Sequence, residues 1–236
     1  MAALLKVDSL HTYIGEFHIL QGVSFEAEKG LATVILGRNG VGKSTLFKSI
    51  LNIIKPSKGH VIFNDEDITR VPTYKVVRKG IGFVPSSRSV FTGLTVMENL
   101  KIAYRGQKLE FEKRVESILT TFPELKRASN RSAMSLSGGE REMLAIACGV
   151  VNKVDLIMLD EPSEGLSPLM VRTVMDTLNK LKGDTTILLV EQNFNAAKLV
   201  GDVCYFMDKG QITFHTRMEE IGKESEILRK YLGVAF

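Results

Sequence analysis

One stretch constrains this chain more than any other: Gly37-Arg38-Asn39-Gly40-Val41-Gly42-Lys43-Ser44-Thr45. Ahead of it, Ala32-Thr33-Val34-Ile35-Leu36 is a β-branched apolar run of the buried-strand type. Behind it, Leu46 to Leu51 reads as the opening turns of a helix. The first N–H groups of a helix lack internal partners, and its dipole places partial positive charge there. Glycines at 37, 40 and 42 permit backbone shapes that a side chain would forbid, so the amides of residues 37–45, those of Asn39, Val41 and Thr45 included, can wrap a phosphate. Lys43 is placed to pair with β- and γ-phosphates, and the Ser44 hydroxyl to ligate Mg²⁺. The stretch reads as a nucleotide-binding loop.

Composition limits what surrounds that loop. A chain of 236 residues can bury a full α/β core. The excess of 31 basic over 27 acidic residues is small and dispersed, which gives no electrostatic footprint for nucleic acid. No apolar run approaches the ~20 residues that cross a bilayer, and the start of the chain lacks the basic, then apolar, pattern of a secretory signal. Cys148 and Cys204 show no metal-ligand spacing and are expected to be buried, reduced thiols. These features predict a cytoplasmic protein that reaches a membrane only through partners.

The N-terminal part reads as a β wing: Leu4 to Tyr13 and Gln21 to Glu28 alternate apolar and polar residues, with turns at Gly15 and Gly30. Tyr13, a short loop ahead of the phosphate site, can stack on a base. A strand His60–Phe63 opening at Gly59, a polar turn Asn64–Asp67, a short helix Pro72–Lys79 and a core strand Ile81–Val84 follow. From about Phe91 to Ser135 the pattern turns helical, with Val96–Tyr104 and Leu109–Phe122 as the helices. In the second, Phe111, Val115, Ile118 and Phe122 recur at helix spacing as a packing face. Two helices inserted between strands predict a helical subdomain.

That segment leads into Leu136-Ser137-Gly138-Gly139-Glu140-Arg141 and an apolar helix. Alone, Ser-Gly-Gly-Glu reads first as a helix cap. The next segment changes its meaning: Leu156-Ile157-Met158-Leu159 is a continuous apolar strand ending in Asp160-Glu161. An acid at the C-terminal end of a strand beside a phosphate loop suits Mg²⁺, and adjacent Glu161 can polarise an attacking water.

In order and separation, Gly37–Thr45, Leu136–Glu140 and Leu156–Glu161 resemble the ATP-binding subunits of ABC transporters, over nearly the whole chain. The resemblance implies an α/β P-loop NTPase core of mainly parallel sheet, with an antiparallel β wing at the N-terminus and an inserted helical subdomain. Residues 1–90 and 152–236 would form core and wing, and residues 91–151 the subdomain ending in the signature helix. It implies two ATP molecules sandwiched head to tail, with Ser137, Gly138 and Gly139 meeting the γ-phosphate held by Lys43 of the other copy. Tyr13 matches the family's adenine-stacking aromatic. The segments His18–Phe25, Leu94–Leu100, Val190-Glu191-Gln192-Asn193 and Tyr231-Leu232-Gly233 are similar to the ATPases of branched-chain amino-acid importers and their urea/amide relatives. Gln192 stands where most of the family has a γ-phosphate-sensing histidine. Membrane permease subunits, a second ATPase subunit (a different one in the cell, although ATP can drive a homodimer of this chain in isolation) and, indirectly, a solute-binding protein are the partners implied, at the inner face of the membrane.

Departures from the family pattern bear on the mechanism. Ser86-Ser87-Arg88 follow Val84-Pro85 where the family carries Gln or Glu, and a serine needs a water to reach Mg²⁺. Ser167 replaces a common Asp, which predicts weaker communication between sites. Asn152-Lys153-Val154-Asp155 matches a guanine-reading tetrapeptide but lies ahead of the acidic strand, the wrong place for that role. Other readings remain at this point: a nucleotide-gated regulatory module that barely hydrolyses ATP, and a soluble ABC ATPase outside transport.

Overall fold

The computed structural model describes residues 2–87 and 90–222, together with Leu228, Arg229 and Leu232. Arg88, Tyr231 and Gly233, quoted above for the resemblance, lie outside the described residues.

Strands β1 (Ala3–Ile14) and β2 (Phe17–Glu28) form a long hairpin through a turn at Gly15. The second strand opens four residues earlier than its polarity pattern indicates, so Tyr13, near the end of the first strand as expected, pairs across the hairpin with His18. The phosphate loop lies between β3 (Ala32–Leu36) and α1 (Lys43–Ile50). Next come β4 (Lys58–Phe63), β5 (Glu66–Asp67), α2 (Thr73–Arg78) and β6 (Ile81–Val84). Within the expected polar turn only Asn64 and Asp65 take positive φ, and Glu66–Asp67 folds back onto β4.

The helical segment holds α3 (Val96–Ala103), α4 (Lys108–Thr121), α5 (Pro123–Arg127) and α6 (Gly138–Val150). The fifth helix was hidden by Pro123, which reads as a stop but also suits the first position of a new helix. Val115, Ile118 and Phe122 are buried as the stripe predicted, with Phe111 half-buried against them. Arg114 ties α4 to the end of α6, donating to the carbonyls of Val151 (2.8 Å) and Val150 (2.7 Å). The chain closes with β7 (Leu156–Asp160), α7 (Pro168–Leu181), β8 (Thr186–Glu191), α8 (Phe194–Lys198), β9 (Val203–Asp208) and β10 (Gln211–Arg217).

Two sheets result. The wing has the order β2-β1-β4-β5 and is antiparallel throughout. The central sheet has the order β10-β9-β3-β8-β7-β6, parallel except for β10 at its edge. Because side chains alternate across a strand, each central strand feeds two cores. Val34 and Leu36 of β3, Ile157 and Leu159 of β7, and Ile187 and Leu189 of β8 face the helical side. Ile35, Leu156, Met158, Leu188 and Val190 face the wing and α1. Burial on both faces explains why these strands are unbroken apolar runs. It also locks the C-terminal ends of β3, β7 and β8 in one register, which is where the charged residues emerge.

Cys204 is buried, Cys148 is only partly so, and neither is in a disulfide. Burial pushes the Cys148 thiol up to about 12, so it stays protonated and inert. Among the described residues no helix is long and apolar enough to cross a membrane. Asn152, from the guanine-reader lookalike, is a structural turn residue: it donates to Ala103 O and accepts from Arg105 N–H.

Candidate nucleotide site

The phosphate loop wraps the start of α1. Gly42, with φ of 112°, is that helix's N-cap and has no side chain to cap it, so the first amides of the helix stay available. Gly37 cannot be replaced either, since a Cβ there would lie 2.6 Å from Met207 O. Residues 39, 40 and 42–45, with Ile19, Ser86 and Glu161, line a cleft of about 370 Å³.

Lys43 is the buried cation of this cleft, its side chain 3% exposed. Its ammonium donates to Gly37 O (2.7 Å) and Arg38 O (3.0 Å) and pairs with Glu161 Oε1 at 2.9 Å. Ser44, next along the helix, donates from its hydroxyl to Asp160 Oδ1 at 3.1 Å. Burial raises the pKa of Asp160, opposed by the Ser44 hydrogen bond and by Lys43, while the neighbouring Glu161 charge adds to the rise. The parallel pairing of β3, β7 and β8 therefore delivers Lys43, Ser44, Asp160 and Glu161 to one spot. Glu161 takes φ of 52°, a left-handed conformation unusual for its residue type, and its N–H is held by Val190 O at 3.0 Å.

The other sequence-predicted residues lie apart from the cleft or at its edge. Tyr13 is 47% exposed and stacks on His18, with centroids 4.2 Å apart and planes 3° apart. His18 in turn meets His11 at 3.0 Å, so the aromatic face is built from both strands of the hairpin. Gln192 is exposed just past β8, and Ser86 is exposed in the turn after β6. Ser137 caps α6: its hydroxyl accepts from Glu140 N–H (3.2 Å), and Glu140 accepts from Ser137 N–H (2.7 Å). The helix-cap reading of Ser-Gly-Gly-Glu is thus realised within the chain. It leaves the Ser137 hydroxyl hydrogen for an outside acceptor. Of this trio Ser137 is exposed, Gly138 partly buried and Gly139 buried. Ser167 likewise caps α7, a task that Asp performs equally well.

Sequence reasoning gave no role to Glu191, the buried acid that ends β8, although an acid closing an apolar strand beside the loop was a visible signal. Nor did it foresee that Lys43 and Glu161 hold one another.

A cleft with a buried lysine, a helix start and two consecutive acids at the end of one parallel strand defines a P-loop nucleotide hydrolase. Comparison with known proteins sharpens the class. The family described as ABC transporter matches residues 20–164. The probable branched-chain amino acid transport ATP-binding protein LivF of Archaeoglobus fulgidus is 38% identical, covering 98% of this chain and 99% of its own length. The high-affinity branched-chain amino acid transport ATP-binding protein BraG of Pseudomonas aeruginosa is 34% identical, covering 98% and 100%. A dimeric ATP-binding cassette solved in a post-hydrolysis state with ADP and phosphate superposes with a TM-score of 0.78 at 27% identity, over 92% of this chain and all of that one. The chain belongs to the ABC transporter family, as an ATP-binding, ATP-hydrolysing subunit.

Proposed function

We propose that this chain is the motor of an importer for branched-chain amino acids or a related small polar solute such as urea or amides, working beneath separate permease subunits at the inner face of the membrane. The names of its relatives support the solute class. In this reading residues 1–90 and 152–236 are the nucleotide core with its wing, and residues 91–151 the helical arm. A different ATPase subunit would be its partner in the cell, and a solute-binding protein would deliver the cargo.

The observation that carries the motor reading is the convergence of Lys43, Ser44, Asp160 and Glu161 at one cleft. Lys43 and the loop amides bind the phosphates, and Tyr13 stacks on adenine. The Lys43 ammonium is now shared between Glu161 and two carbonyls, and a triphosphate is a stronger partner for it than any of them. Its arrival releases the Glu161 carboxylate to accept a proton from water, a task worth ~10²–10⁴ in rate. Gln192 hydrogen-bonds the γ-phosphate without adding charge. Ser44 and Asp160 offer only oxygen donors, which fits Mg²⁺, with Ser86 reaching it through water. Among the described residues no group of three His, Cys, Asp or Glu side chains converges to hold a metal, so such a cation would lean on the phosphates too. Bound there, Mg²⁺ would neutralise charge on the phosphate oxygens. The segment matching Ser137, Gly138 and Gly139 in a second subunit completes the site.

The test is to tag the chain, isolate it from gently solubilised membranes and identify its companions by mass spectrometry. Two polytopic subunits and a second ATPase are expected. A well-expressed sample that brings only soluble companions contradicts the importer reading.

A further inference from the structure

Glu191 is 2% exposed and does not line the cleft, yet three segments of the site hang on it. Its backbone carbonyl accepts from the N–H of Gly37, the first residue of the phosphate loop, at 3.2 Å. Its carboxylate accepts from Ser163 N–H at 3.0 Å, two residues beyond Glu161. The other carboxylate oxygen accepts from Asn193 N–H at 3.3 Å, one residue beyond Gln192. The preceding residue, Val190, holds the Glu161 N–H.

A buried carboxylate is costly here. Burial pushes its pKa up, and the nearby Glu161 charge pushes the same way, while the bonds from Ser163 and Asn193 pull it back. An apolar side chain would fill the space without that cost. The retained acid does what no apolar group could do, which is to fix two turns relative to each other by two hydrogen bonds.

We propose that Glu191 is a positioning residue for hydrolysis: its carboxylate clamps the Glu161 turn to the Gln192 loop, so that both address a γ-phosphate held by Lys43. This rests on Glu161 being the base. The phosphate loop keeps its own contact to the Glu191 backbone, so loss of the side chain spares ATP binding. Orientation at the γ-phosphate is lost instead, and small misplacements of catalytic groups cost ~10–10²-fold in rate.

The experiment is a double-mutant cycle read as ATP affinity, turnover and melting temperature in the full-length chain. Glu191→Gln turns one acceptor into an NH₂ facing an N–H and so opens one side of the clamp. It is expected to lower kcat ~10-fold or more, with ATP affinity within about 2-fold of wild type. On a Glu161→Gln background, where there is no base left to position, Glu191→Gln adds little. An equal fold-loss on both backgrounds, or a matching loss of ATP affinity, overturns the clamp while leaving the base assignment intact. Unchanged turnover in Glu161→Gln alone overturns the base assignment, and the clamp with it. Should Glu191→Gln fail to fold, Glu191→Asp, which keeps the charge but is too short for both turns, carries the same cycle with the same criteria.

Discussion

The phosphate loop and the signature segment are both helix N-termini preceded by glycine-rich or serine-bearing turns, and they end up in opposite conditions. At α1 the cap is a glycine with no side chain, the amides open on a cleft, and Lys43, Ser44, Asp160 and Glu161 gather there. At α6 the cap is closed by a reciprocal pair between Ser137 and Glu140, and no residue of the cleft belongs to it. One is a binding site waiting for charge, the other a satisfied helix end with a spare hydroxyl. The difference teaches that the phosphate loop is open within one copy of this chain, whereas the signature segment has met its own needs as a helix cap and can contribute to a nucleotide site only as the proposed function places it, toward a second subunit.

Four substitutions probe that contrast, in descending order of effect. Lys43→Ala removes the buried cation, and losing its charge-assisted contacts should weaken ATP binding about 10³-fold, measured by titration with a fluorescent ATP analogue. Gly138→Asp should leave that titration unchanged, because an acid in the first turn suits the α6 dipole. Turnover should nonetheless fall about 10²-fold, because an anion then faces the phosphate. A Gly138→Asp protein that lost ATP affinity as a monomer would erase the contrast. Tyr13→Ala should weaken ATP binding by about 10-fold, as expected for one lost stacking contact, and should affect ITP or GTP similarly.

The smallest effect concerns stability. Asp160 has a raised pKa in the fold, so its ionised form costs stability above that folded value, and the cost is absent below the unfolded value of 3.8. Nucleotide-free Asp160→Asn should therefore melt about 2–4 °C higher than wild type at neutral pH. The gain should shrink as pH falls through the carboxylate range. A melting gain that persisted at acid pH would point to packing instead of charge.

The core was readable because it is locally coded. The apolar runs at 32–36, 81–84 and 156–159 need no distant partner to declare themselves as strands, and the glycine spacing of 37–45 states its own geometry. Tyr13 was harder to place. Its neighbours Phe17-His18-Ile19-Leu20 break the apolar–polar alternation that marks the rest of the hairpin, and only pairing across it makes them a strand. Pro123 disguised a helix start as a helix end. Glu191 stood out in the sequence only as an acid closing an apolar strand; what it holds could not be read there, because its partners include backbone amides far along the chain, at 37 and 163, which carry no side-chain signature. The proposed roles of Ser137, Gly138 and Gly139 toward a second subunit lie in no single chain, so they rest on the family resemblance of the signature segment and not on a contact within this fold.

That shared site can be tested with two crippled proteins. Lys43→Ala keeps a good signature segment, and Gly138→Asp keeps a good phosphate loop. Each alone should be inactive. Mixed in equal amounts with Mg-ATP, half of the pairs are unlike, and each unlike pair has one intact site of two, so turnover should return to about a quarter of the wild-type rate. A mixture as inactive as its components would contradict the head-to-tail site.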